Sequence, residues 1–289
     1  MDNDPHRLNK SDVRRAFARA AASYDEAAVL QREIADRLIA RLDIVKLKPT
    51  DILDAGTGTG YCARALSKRY RHAQVVGIDL AQPLAARAHR QRGWFSRRRF
   101  ICGDIERLPL AKHSFDLIVS NLSLQWCDLD AAFTELLRVL RPGGLLMFTS
   151  FGPDTLRELR AAWAQADKAT HVHTFIDMHD VGDALLRAGF AEPVMDVEHL
   201  TLTYATVRDA LQDLKAIGAH NAAQTRARGL TGKLRYGRFV AAYEAQRQQG
   251  RIPATYEAVY GHAWAPLTER QTVRADGAVA VSLDALTRR

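Results

Sequence analysis

The run Asp54-Ala55-Gly56-Thr57-Gly58-Thr59-Gly60 stands between a short apolar segment, Ile52-Leu53, and a helix-compatible stretch that begins at Tyr61. Such a glycine-rich turn lets a ligand approach the backbone and use the amides at a helix start. Its sequel sharpens the reading. A second apolar segment, Val75-Val76-Gly77-Ile78-Asp79-Leu80, ends in an acid 19 residues beyond Gly60. A carboxylate at that strand end can accept both hydroxyls of a ribose. The chemistry indicated is therefore the binding of a nucleoside cofactor, with Asp54, Gly56, Gly58, Gly60, Asp79 and Leu80 as candidate contacts. Asp104, followed by Ile105, ends a third apolar segment, and the small polar pair Ser120-Asn121 ends a fourth. No partnered His-Asp spacing accompanies Ser120, so the pair suits backbone contact better than nucleophilic attack.

The elements that must position these groups follow from periodicity. Apolar segments at 52–53, 75–80, 100–105, 115–121 and 145–151 alternate with helical patterns, which predicts a doubly wound α/β domain with a mostly parallel sheet and helices on both faces. Residues 11–47 read as helical, with Ser11 as N-cap, and Pro49 closes them. Beyond the core, residues 152–154 can open a helix, another spans 178–188, and β-prone stretches cover 193–204 and 254–264. Between these two stretches, residues 206–250 form a helical insert, expected beside the carboxyl ends of the strands as a lid. The organisation expected is an N-terminal helical segment at 1–48, one domain at 49–265, and a loosely held tail at 266–289.

This order of motifs resembles the class I methyltransferases that use S-adenosylmethionine. The third glycine of DAGTGTG falls one residue earlier than in a dehydrogenase GxGxxG, in keeping with that resemblance. It implies that Gly56, Gly58 and Gly60 pass beneath the methionine part, Asp79 holds the ribose, Asp104 with the Ile105 amide reads the adenine, and Ser120-Asn121 touches the methionine end. A closer likeness lies largely outside the cofactor loops. The segments Val13-Arg14-Arg15-Ala16-Phe17, Ala20-Ala21-Ala22-Ser23-Tyr24, Ser120 to Cys127, Leu214 to Ala219 and Gln248 to Tyr256 are similar to the malonyl-acyl carrier protein O-methyltransferases of biotin synthesis. That resemblance implies methylation of the free carboxylate of a malonyl thioester, on acyl carrier protein or on coenzyme A, to give the ester that primes pimeloyl synthesis. The segment Phe151-Gly152-Pro153-Asp154-Thr155-Leu156, with Glu158-Leu159-Arg160, also resembles methyltransferase-like assembly factors of respiratory complex I, one of them associated with arginine hydroxylation.

Methyl transfer to a carboxylate needs no general base, because the acceptor is already ionised near neutral pH. Alignment and exclusion of water supply the rate instead. The family-like segments offer Tyr24, Gln125, Trp126, Lys215, His220, Asn221 and Arg251 as groups to position the acceptor. Tyr24 and Trp126 suit core packing as well, and Lys215 and Arg251 suit a solvated surface. His171, His173, Asp177 and His179 include ordinary metal ligands, yet they lack HExxH spacing and the transfer needs no metal, so a structural or surface role is expected.

Composition bounds the rest. In 289 residues no stretch approaches the roughly 18 uncharged apolar residues of a membrane helix, and the polar start lacks a signal-like apolar centre. Cys62, Cys102 and Cys127 have no paired ligand spacing and suit reduced, buried thiols in a cytoplasm. The formal charge of +8 concentrates in two regions: 11 Lys or Arg against 3 Asp or Glu over residues 61–110, and 9 against 3 over 208–251. Either could attract an acidic macromolecule or simply keep the surface soluble. No nucleic-acid-binding motif accompanies the charge, and an acidic carrier protein is the expected partner.

Overall fold

The computed structural model describes residues 8–218 and 232–267, together with two short strands at Thr272–Val273 and Val279–Ala280. Seven strands form one sheet: β1 Asp51–Ala55, β2 Gln74–Asp79, β3 Arg98–Cys102, β4 Phe115–Ser120, β5 Leu140–Phe151, β6 Ala191–Tyr204 and β7 Ile252–Trp264. Their order is β3-β2-β1-β4-β5-β7-β6. The first five run parallel, and β7 is antiparallel to both β5 and β6. This is the Rossmann-like α/β arrangement that the strand and helix alternation predicts.

Alternation within the strands explains why helices cover both faces. Ile52, Leu117, Val119, Leu145 and Met147 pack into one core with Leu30, Ile34 and Leu38 of α3 (Val29–Ala40) and Leu66 of α4 (Tyr61–Arg69). The same core takes in Leu159 of α7 (Arg157–Ala166), Ala210 of α9 (Val207–Ala216) and Tyr243 of α10 (Lys233–Glu244). Their neighbours Leu53, Ile118, Leu146 and Phe148 point the other way, against Phe133 and Leu136 of α6 (Leu129–Val139) and Leu185 of α8 (Met178–Ala188). Helix α5 (Gln82–Arg90) follows β2. Among the described residues, no helix is long and apolar enough to cross a membrane.

The N-terminal stretch differs in detail from one long helical run. It divides into α1 (Lys10–Ala20), α2 (Tyr24–Ala27), α3 and a 3-10 turn. Ser11 is not the cap: the Asn9 carboxamide accepts from the Ser11 and Asp12 amides, one residue outside the helix. The stretch shares the sheet's core, and Arg37 and Arg41 pair with Glu198 on β6. Strand β3 ends at Cys102, so Asp104 lies two residues past it and not within a strand ending at 105. Helix α7 begins at Arg157, after a corner in which Leu156 has φ 57°. The expected insert is present as α9 and α10, and Thr206 caps α9 in a reciprocal bond with Asp209. Of the helix break that the glycines from Gly229 to Gly232 predict, Gly232 is described and is the N-cap of α10, while 229–231 and nearly all of the tail lie outside the described residues.

Candidate active site

The glycine turn joins β1 to α4 at the carboxyl end of the sheet. Gly56, Gly58 and Gly60 all have positive φ, at 80°, 54° and 82°. A Cβ on Gly56 would fall 1.8 Å from Ser123 Oγ, so this position has room only for glycine. The Gly56 and Thr57 amides donate to the Ile78 carbonyl at 2.8 and 2.9 Å, pinning the turn to β2. Below it, Asp54 accepts from Thr57 Oγ1 at 2.6 Å and from the Ala63 amide at 2.9 Å. Burial pushes the Asp54 carboxyl up to about 6.

Asp79 closes the other side. One oxygen accepts from the Gly58 amide and the other from the Ala81 amide, each at 2.8 Å. Burial pushes this carboxyl up to about 6 as well, with the two amides working against that rise. Each oxygen keeps a second lone pair for a ligand. The Tyr24 ring lies across the turn, 3.7 Å from where a Gly58 Cβ would sit. Burial, and after it the charge of Asp79, pushes its phenol up.

The cleft so formed has two lobes. The first is lined by Gly56, Gly58, Asp79, Leu80, Asp104, Ile105 and Asn121, with Tyr24 and Trp126 from the acceptor candidates. The second shares Tyr24, Gly56, Gly58 and Asn121 with the first and adds the charged groups Asp25, Arg32 and Arg64. Asp25 pairs with Arg87 of α5 at 2.9 Å. Burial raises the Asp25 carboxyl, but hydrogen bonds from Thr59 and Gln91 and the nearby arginines outweigh it and hold the group below its ordinary value. Asp104 accepts from Lys10 Nζ at 2.8 Å, and Lys10 also reaches Glu106 at 2.7 Å, tying the start of α1 to the cleft.

Other candidates stand elsewhere. Asp54 and Gly60 shape the turn without lining the cleft, and Ser120 is fully buried at the end of β4. The Asn121 side chain is engaged with Gln31 and Thr149. Gln125 donates to the Leu122 carbonyl at 2.9 Å and does not line the cleft. Lys215 lines a separate groove beside α1, whereas Arg251, just before β7, bonds to Thr203 of β6 and lines neither lobe of the cleft. His220 and Asn221 lie outside the described residues. Cys62 is buried and Cys102 exposed, while burial pushes the half-buried Cys127 thiol up to about 12.

Sequence reasoning passed over Lys10, Asp25, Arg32 and Arg64, which come from helix faces with no motif of their own; Phe17, from a family-like segment, lines the first lobe as well. It also gave the His171-x-His173 pair no part in the site. His173 is buried against Trp126, ring centroids 4.9 Å apart, in an apolar chamber next to the cleft. His171 sits 2.8 Å from Asp167 and stacks on Trp163 at 3.7 Å. Both line that chamber with Phe151, Leu159, Leu214 and Tyr256.

A family model for methyltransferase domains matches residues 53–148, which span β1 to most of β5. Beyond that core, the chain is 55% identical over 273 residues to the malonyl-[acyl-carrier protein] O-methyltransferase of Methylovorus sp. (strain MP688), covering 92% of each chain. The chain belongs to this family. The relative of the same name from Laribacter hongkongensis is 54% identical over 279 residues, covering 93% of this chain and 94% of its own. Among solved structures, the YcgJ protein of Bacillus subtilis superposes with a TM-score of 0.58 at 18% identity, covering 79% of this chain and 97% of its own, a likeness of fold. The enzyme is thus an O-methyltransferase that uses S-adenosylmethionine, and the turn without room for a Cβ, facing a buried carboxylate, fits that donor. The segment that also resembles complex I assembly factors is a structural corner here. Glu257 accepts from the Asp154 amide, Glu158 accepts from the Thr255 amide, and Arg160 donates to the Pro153 and Thr155 carbonyls.

Proposed function

We propose that the enzyme methylates the free carboxylate of a malonyl group carried as a thioester on acyl carrier protein, giving the ester that primes pimeloyl synthesis for biotin. The observation that carries this reading is the identity of more than half the residues across 92% of both chains, a span far longer than the methyltransferase core at 53–148. The residues have matching roles. Asp79 accepts the ribose hydroxyls on its remaining lone pairs, while Asp104 and Ile105 border the adenine. The second lobe offers Arg32 and Arg64 to a carboxylate and Asp25 to an ammonium, the two charges of an amino-acid end. When bound, S-adenosylmethionine supplies a sulfonium methyl, which a carboxylate oxygen takes as the carbon–sulfur bond breaks, with no proton released.

What the chain must then do is orient a carboxylate and keep water away. Tyr24 stands over the glycine turn and Trp126 forms the wall between cleft and chamber. Both can donate a hydrogen bond to an acceptor oxygen while keeping an apolar body against the site. Helix α9, part of the insert expected as a lid, lends Leu214 to the chamber wall. The test is incubation of the full-length enzyme with labelled adenosylmethionine and malonyl carrier protein. One methyl gained by malonyl but not by acetyl carrier protein supports the reading, and equal labelling of both, or of neither, removes it.

A further inference from the structure

Beside the cleft runs a groove between α1, α7 and α9 whose occupant the cofactor chemistry leaves open. Its walls are apolar, from Leu159 and Trp163 of α7 and Leu211 and Leu214 of α9. Its mouth carries two cations, Arg19 of α1 and Lys215 of α9, both exposed. Among the described residues no ion pair engages either one. The nearby carboxylate of Asp167 is already taken by His171 at 2.8 Å and Arg235 at 3.6 Å. The floor is firmly built: Ser23 Oγ donates to the Ala216 carbonyl at 3.0 Å, and Gly218 packs against Phe17 and Ala20 so closely that a Cβ there would lie 3.1 Å from the Phe17 ring.

The groove is continuous with the site. It shares Leu159, His171 and Leu214 with the apolar chamber, and the chamber shares Trp126 with the cofactor cleft. A path therefore leads from two surface cations, along an apolar channel, to the wall of the methyl-donor site. A ligand complementary to that sequence has an anionic end, a long slender body of low polarity, and a reactive head. We propose that this groove receives the phosphopantetheine arm of the acyl thioester, its phosphate between Arg19 and Lys215 and its acyl end in the chamber beside Trp126. The proposal rests on the malonyl-thioester reading above. It assigns Lys215 to the phosphate and not to the malonyl carboxylate, because Lys215 stands at the outer end of the path.

Three substrates of the full-length enzyme separate the possibilities: malonyl carrier protein, malonyl-coenzyme A, and the malonyl thioester of N-acetylcysteamine, which has no phosphate. The Arg19→Glu/Lys215→Glu pair, both exposed, should raise KM for the two phosphate-bearing substrates about tenfold more than for the short thioester, the scale of two screened charge contacts. Gln212→Trp, exposed on the same groove, should lower kcat/KM for carrier-borne malonyl while adenosylmethionine affinity by calorimetry stays as in the wild type. A larger effect on carrier protein than on coenzyme A would point to added protein contacts at the mouth, and an equal effect to the arm alone; either supports the groove. Variants that shift all three substrates alike, or none, overturn it. If the wild type methylates no malonyl thioester, the malonyl reading itself fails and this inference falls with it.

Discussion

At the residue scale, Asp79 carries the account. Its two oxygens already accept the Gly58 and Ala81 amides, so its orientation is set before a ligand arrives. Asp79→Ala deletes two hydrogen bonds to a charged acceptor, each worth roughly 1.5–3 kcal/mol, and adenosylmethionine should bind at least about 100-fold more weakly by calorimetry. Because burial lifts this carboxyl to about 6, lowering the pH below that value protonates the acceptor and should weaken cofactor binding in the wild type. Asp79→Asn should lose that pH dependence, and a Kd that rises equally in both would assign the titration to another group. A stability effect follows with the opposite sense. Asp54 and Asp79 are both raised from 3.8 to about 6, so between these values the folded chain holds protons that the unfolded chain has released. Their contribution to stability therefore falls as pH rises through the window and returns on acidification. Burial lowers His262 and acts against this gain, whereas Asp25, Asp116, Glu135 and Glu198, all held below their ordinary values, weaken the fold only at lower pH. In melting curves without cofactor, the wild type should gain more stability from pH 7 to pH 5 than Asp54→Asn does, and equal gains would contradict the assignment.

At the scale of elements, the strand-turn-helix unit depends on backbone that only glycine tolerates. Gly56→Ala places a Cβ into Ser123 and forces an L side chain into the left-handed region, a strain of about 1–2 kcal/mol before the overlap is counted. The turn should shift, with a lower melting temperature and at least about tenfold loss of cofactor affinity; a variant that keeps both would mean the turn is not a rigid cradle. This unit was legible because its glycines, apolar strands and terminal acids all lie within residues 52–80. The helix caps were less so: Asn9 and Ser11 are both good caps, and only the geometry of the entering chain chooses Asn9. The acceptor side was legible in part. Tyr24 and Trp126 reach the site, but Arg251 shares a family-like segment and bonds to Thr203, because it precedes β7 where the β6–β7 pair runs on past the carboxyl end of β5, beyond Tyr256 of the chamber. His173 and Lys10 could not be read out, since each is brought in by packing between elements far apart in sequence.

At the scale of the whole molecule, strand direction decides which basic region can serve the site. Arg97, Arg98 and Arg99 lie at the amino end of β3, while the cleft lies past its carboxyl end, about 13 Å further along at 3.3 Å per residue. The arginine triplet therefore faces away from the groove and chamber, despite its density of charge. Charge reversal at the exposed Arg97 and Arg99 should leave the apparent KM for malonyl carrier protein within about twofold, as expected of rim charges outside an interface. Added salt should still slow the reaction with carrier protein, because the Debye length shrinks from about 10 Å at 0.1 M to about 3 Å at 1 M and screens the groove-side cations. A KM raised strongly by the Arg97 and Arg99 reversals would place docking on the wrong end of the sheet. The central claim, methyl transfer to a malonyl carboxylate, is tested most directly by intact mass analysis of carrier protein after incubation with the enzyme and adenosylmethionine. A gain of a single methyl on malonyl carrier protein, and none on acetyl carrier protein, is the predicted result; a malonyl carrier protein of unchanged mass, with the enzyme folded and saturated with cofactor, would contradict it.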